Sequence, residues 1–108
     1  LFYFSLKDTK INFVTKNIFS GLIAKASEKN LTNKVVLIEN ADPGYDFIFT
    51  KKIGGLITKY GGVNSHMSIR CSELDIPAAI GVGEQNFKRI NESKKIKLDC
   101  FFEKIETL

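Results

Sequence analysis

The sequence predicts an α/β fold, and three observations carry that expectation. Lys34 to Glu39 holds four consecutive Val, Val, Leu and Ile side chains, the pattern of a strand covered on both faces. Two further short apolar runs, Leu56-Ile57-Thr58 and Ala78-Ala79-Ile80, are bounded by glycine pairs or by proline and glycine. Between them, Ser65 to Leu74 has helical spacing, with Met67, Cys71 and Leu74 on one stripe and Glu73 across from it.

The elements follow in chain order. Lys10 to Thr15 alternates apolar and polar residues and reads as a strand with one buried face. Asn17 to Lys29 places Ile18, Leu22, Ile23 and Ala26 at helix-like spacing, so a helix is expected there despite Gly21. Asn30 to Asn33 is a polar connection into the strand at Lys34 to Glu39. Asp42 is a natural N-cap and Pro43 suits a first helical position, so a short helix is expected from Pro43 to about Phe49, with Gly44 allowing an irregular turn instead. Pro77 stops the helix that begins at Ser65. Phe87 to Ile90 reads as a helical turn, and Lys95 to Asp99 and Phe101 to Ile105 as closing strands. The connections are too short for a regular doubly wound sheet throughout.

At 108 residues, with 44% apolar and 26% charged side chains, the chain is expected to be a single domain, 1–108, with one core. The chain opens on Leu1, and its only methionine is Met67, so a piece excised from a larger multidomain enzyme is expected. No apolar run approaches membrane-spanning length, and Leu1 to Leu6 lacks the basic start of a signal peptide. A cytoplasmic protein with no membrane partner is expected. The net charge of +4 comes from dispersed lysines interleaved with acids, without a basic stripe, so no nucleic-acid partner is expected. Cys71 and Cys100 lie far apart with no CxxC and no nearby histidine pair, which argues against a metal site and for small buried residues, Cys71 on a helix and Cys100 on a strand or turn.

The chemistry concentrates at Gly61-Gly62-Val63-Asn64-Ser65-His66, where the only histidine follows a glycine pair and opens a helix. With Asn64 or Ser65 as the cap, His66 lies in the first turn, beside free backbone N–H groups and the positive helix end. That setting disfavours a ring proton, and it receives anions such as phosphate. Gly61 and Gly62 can approach closely, adopt backbone angles other residues resist, and leave room for a phosphorylated partner. Ser65 offers a hydroxyl for the phosphate or for capping. The same features also fit a plain polar cap. A Ser–His hydrolase is disfavoured because Ser65 and His66 are adjacent and no Gly-x-Ser-x-Gly elbow is present.

The run Gly61-Gly62-Val63-Asn64-Ser65-His66, then Ile69, then Glu73-Leu74-Asp75-Ile76-Pro77-Ala78-Ala79-Ile80-Gly81 resembles the phosphohistidine, or swivelling, domain of the phosphoenolpyruvate-utilising enzymes. The strand from Val35 to Asn40 with Asp42-Pro43 also looks like the family's corresponding strand and turn, giving a motif core over 34–83. The resemblance implies a compact β/β/α swivelling domain in which His66 is the catalytic phosphoryl carrier and Gly61, Gly62, Asn64 and Ser65 support the phosphate. It implies an ATP-grasp partner domain that loads a phosphoryl or pyrophosphoryl group with ATP and magnesium. A separate acceptor site would take the group to pyruvate, an antibiotic or a small amide.

On this reading the domain binds no cofactor or metal of its own and is inactive alone as part of a dikinase-type phosphotransferase. The alternative is a non-catalytic structural or interaction module of the same fold. Two departures stand out: Ser72 occupies the position where the family commonly has arginine, with Arg70 two residues earlier, and Met67 replaces a small residue beside the histidine.

Overall fold

Apolar alternation in the central strands builds two cores, one on each face of a curled sheet. The computed structural model describes residues 2–3 and 11–108. Its strands are β1 (Phe2–Tyr3), β2 (Asn12–Val14), β3 (Ile18–Lys25), β4 (Val35–Asn40), β5 (Gly55–Tyr60), β6 (Ala78–Ile80), β7 (Lys95–Asp99) and β8 (Lys104–Thr107). They lie in the order β1-β8-β7-β3-β4-β5-β6-β2. The three pairings β3–β4, β4–β5 and β5–β6 are parallel, and the rest are antiparallel. A 3₁₀ helix (Pro43–Lys51) follows β4, α1 (His66–Leu74) follows β5, and α2 (Glu84–Asn91) follows β6. No helix among the described residues is long and apolar enough to cross a membrane.

The run of four branched or leucine residues in β4 is buried on both sides, as its sequence requires. Val36 and Ile38 join Leu56, Ala78, Ile80, Ile48 of the 3₁₀ helix and Met67 and Cys71 of α1 on one face. Val35 and Leu37 join Ile57, Ala79, Ile90 of α2, Ile96, Leu98 and Ile105 on the other. Parallel strands put the ends of β4, β5 and β6 along one edge, and the candidate site grows from the segments that leave it.

Four expectations are corrected. Asn17 to Lys29 is not a helix: Ile18–Lys25 is an interior strand, paired antiparallel to β7 from Ile18 and parallel to β4 from Ile23. The apolar residues that suggested a helix, Ile18 and Leu22, are exposed, while Gly21 and Ala24 are the buried positions. A side chain at Gly21 would meet the Phe19 ring at 2.6 Å and the Asn33 carbonyl at 3.1 Å, so its glycine is a close-packing feature of a strand rather than a helix breaker. Leu74 leaves the buried stripe of α1 and is 44% exposed, because Asp75 takes a left-handed conformation (φ 58°) and ends the helix there. The last strand begins at Lys104, and Phe101 and Phe102 form an exposed turn in which Asp99 Oδ1 accepts the Phe102 N–H at 2.9 Å. Finally, the first strand is confined to Asn12–Val14, pairing with β6; Lys10 lies outside the described residues.

Cys71 lies on α1 and Cys100 in the turn after β7, and both are buried free thiols. Burial is the main cause that pushes each thiol up to about 12. Both therefore stay protonated at neutral pH. Iodoacetamide at pH 8 is expected to leave the native domain unlabelled over hours and to label both cysteines in denaturant; rapid native labelling would show that one of them opens to solvent.

Candidate functional site

The site begins with the turn after β5. Gly61 has φ +131°, and a Cβ there would lie 2.6 Å from Ala41 Cβ, so glycine is required at this position. Gly62 differs: its φ is not in the left-handed region, and a Cβ would meet nothing within 4 Å. The expectation of special backbone angles holds for Gly61 only, and Gly62 contributes open space. The Gly62 carbonyl accepts the Ser65 N–H at 3.0 Å and closes the turn.

Ser65 is the cap of α1, its Oγ accepting the Ser68 N–H at 3.4 Å, while its carbonyl accepts the Ile69 N–H at 3.1 Å. His66 is thus the first residue of the helix, at the positive end of its dipole. Asn64 is exposed and makes no side-chain hydrogen bond to a described residue. The structure gathers Gly61, Gly62, Ser65 and His66 into one turn, and Asn64 adds no side-chain hydrogen bond to it.

The imidazole is 38% exposed on its side chain and makes one contact that the sequence did not announce. His66 Nε2 lies 2.9 Å from Asp46 Oδ1, a residue of the 3₁₀ helix. The same oxygen is 3.2 Å from Arg70 Nε. Arg70 also reaches Glu73 Oε1 at 3.5 Å and lies over the Phe49 ring at 5.3 Å. The hydrogen bond from His66 is the largest cause holding the Asp46 carboxyl below its ordinary range, with Arg70 adding to it and partial desolvation opposing it. An ionised carboxylate has no proton to donate, so Nε2 carries the hydrogen of this bond. The ring therefore faces an anion as well as the helix end, which corrects the picture of a histidine governed by the helix dipole alone.

Local sequence explains how Asp46 arrives there. Asp42 Oδ1 accepts the Gly44 N–H at 2.8 Å and Pro43 occupies the first helical turn, so the expected short helix forms as a 3₁₀ helix. Ile48 anchors it in the core. Arg70 could have been connected to His66 from the sequence, since residues four apart share a helix face. Asp46 could not, because its contact is made across the fold.

Asp46 also sets a pH dependence. Its folded pKa is lowered from the ordinary 3.8, so the stabilisation from its pairing is present above 3.8 and is lost as pH falls through the lowered value. In acid titration followed by circular dichroism, wild type is expected to be more stable than Asp46→Asn near neutrality. The two should converge at the acid end; a constant difference down to the lowest pH would contradict the pairing.

The chain matches the model of the family described as PEP-utilising enzyme, mobile domain, over residues 31–101. It is 28% identical over 76 residues to phosphoenolpyruvate synthase of Aquifex aeolicus (strain VF5), an alignment covering 70% of this chain and 9% of that protein. Its fold is similar to the solution NMR structure of a UPF0107 protein from the Northeast Structural Genomics Consortium, with a TM-score of 0.72 and 99% of both chains covered at 8% identity. That likeness concerns the fold alone. The family match spans most of the chain, including the Gly61–His66 turn, α1 and the strands on either side of it, and on this ground the chain belongs to the PEP-utilising enzyme mobile domains.

Proposed function

We propose that this domain is the phosphoryl-carrying module of a phosphotransferase and that His66 is the carrier. The observation that supports it best is the placement of a partly exposed imidazole at the first residue of a capped helix, within a mobile domain of PEP-utilising enzymes. Unpaired N–H groups of the first turn favour an anion delivered to that ring. Loading forms an N–P bond at the imidazole and breaks the P–O bond of the donor, and unloading reverses this at the acceptor. Exposure matters because the ring must meet two partners in turn. A swivelling motion between an ATP-grasp site and an acceptor site, as in dikinases, is the fuller form of this proposal.

ATP and magnesium would be held by the partner domain. This chain's own contribution is to present the ring and receive the group. Pyruvate, an antibiotic or a small amide are the acceptors to be tried.

The hydrogen bond from His66 to Asp46 supports a second reading, in which the histidine only pins α1 to the 3₁₀ helix. Labelling separates them. In the full polypeptide that carries this domain, radiolabelled ATP should place an acid-labile, base-stable phosphate on His66, while the 108 residues alone hydrolyse no ATP. An unlabelled His66 in an active polypeptide would leave the pin reading.

A further inference from the structure

The Asp46 oxygen stands between the imidazole Nε2 and the guanidinium of Arg70, at 2.9 and 3.2 Å. A phosphoryl group on Nε2 would bring its own anionic oxygens to this place, against the same cation. The contact that runs through the Asp46 oxygen to the Arg70 guanidinium is made at Nε2 and not at Nδ1. Two anions cannot share the position: they compete for one cationic partner and repel each other at short range.

On the carrier reading of His66, we propose that Asp46 is a displaceable positioning residue, which holds the resting ring with its proton on Nε2 and must leave before that nitrogen accepts a phosphoryl group. Arg70 then passes from the carboxylate to the phosphoryl oxygens. Arg70 is suited to this because Glu73 and the Phe49 ring also hold it, so it keeps its place when Asp46 departs. Asp46 is suited to leaving by rotation of its side chain, which is 45% exposed, while the buried Ile48 keeps the 3₁₀ helix in place.

The chemistry balances without further groups. The proton that Nε2 shares with Asp46 moves through solvent to Nδ1, which frees the Nε2 lone pair. With phosphoramidate as donor, attack forms the Nε2–P bond and breaks the P–N bond, and ammonia leaves with its own protons. Attack leaves a phosphoimidazolium with hydrogen on Nδ1. That proton passes through solvent to the released ammonia, which ends as ammonium, and the ring ends neutral with phosphate on Nε2 and a free lone pair on Nδ1. Asp46 thus sets the resting tautomer and delays the reactive one.

The test uses the 108-residue chain and potassium phosphoramidate, which needs no partner domain. ¹⁵N–¹H spectra of the resting ring should show the hydrogen on Nε2 in the wild type. Asp46→Asn, which keeps the shape and removes the charge, and Asp46→Ser, which shortens the side chain, should each phosphorylate His66 about fivefold faster, the scale of one charge contact near the surface. Arg70→Gln should shorten the lifetime of the phosphohistidine, and the phosphate should sit on Nε2 throughout.

Equal or slower phosphorylation in both Asp46 variants would overturn the proposal, as would phosphate found on Nδ1 with the Asp46 contact intact. Those outcomes leave His66 a carrier. Failure of every variant to take up phosphate at His66 would instead remove the carrier reading and this proposal with it.

Discussion

Replacing His66 by asparagine is expected to abolish phosphoryl labelling and turnover of the polypeptide carrying this domain while leaving the fold in place. His66→Asn keeps a polar side chain at the first residue of α1 but has no ring nitrogen to attack phosphorus. Its structural effect is small. Ser65, not His66, caps the helix, and the buried anchors of α1 are Met67, Ser68 and Cys71. The lost contact to Asp46 lies at the surface, so the change in stability should stay within about 1 kcal/mol. His66→Ala should behave in the same way. Thermal melts of the isolated domain and ATP labelling of the full polypeptide report the two effects separately. Normal turnover by His66→Asn would mean that the histidine is only a pin between α1 and the 3₁₀ helix.

A large effect on stability is expected at Gly81, a residue the chemistry does not use. Its φ is +77°, and a Cβ would come within 2.5 Å of the Gly61 carbonyl oxygen. Gly61 is itself fixed, at φ +131° and against Ala41 and Ile80. The two turns after β5 and β6 therefore touch through backbone, with Thr58 Oγ1 accepting the Gly81 N–H at 2.9 Å beneath them. Gly81→Ala meets both the left-handed penalty and a clash that no side-chain rotation relieves. A loss of about 1–3 kcal/mol is expected. Because the push falls on Gly61, the turn that presents His66 should shift as well, and backbone amide shifts of 61–66 should move with it. Gly62→Ala is the internal comparison, since its Cβ would enter open space, and it should be nearly neutral. Equal denaturation midpoints for the two variants would contradict this account.

These two residues mark how far the candidate site was legible in the sequence. His66, its Ser65 cap and the glycine turn could be placed because they are neighbours in the chain and their roles follow from local rules: a hydroxyl before a helix caps it, and glycine takes angles others resist. The same locality made the strands at 35–40, 55–60 and 78–80 and the helix from His66 readable. The partner of the histidine was not readable, because Asp46 reaches it across the fold from the 3₁₀ helix. Gly81 likewise carries no sign in the sequence that it packs against Gly61.

Local pattern also failed where two periods compete. Ile18 to Lys25 carries apolar residues at helical intervals, and only pairing with β4 and β7 makes it a strand, with Ile18 and Leu22 turned outward. By itself the sequence determined which segments are apolar on which period, where the chain turns, and which residue has an imidazole ring at a helix start. The tertiary structure alone decided which strand lies beside which, and that Asp46 Oδ1 reaches both His66 Nε2 and Arg70 Nε. The reason is physical. Capping, glycine angles and apolar period act within a few residues, whereas strand pairing and ion pairing depend on distances that exist only once the whole chain has packed.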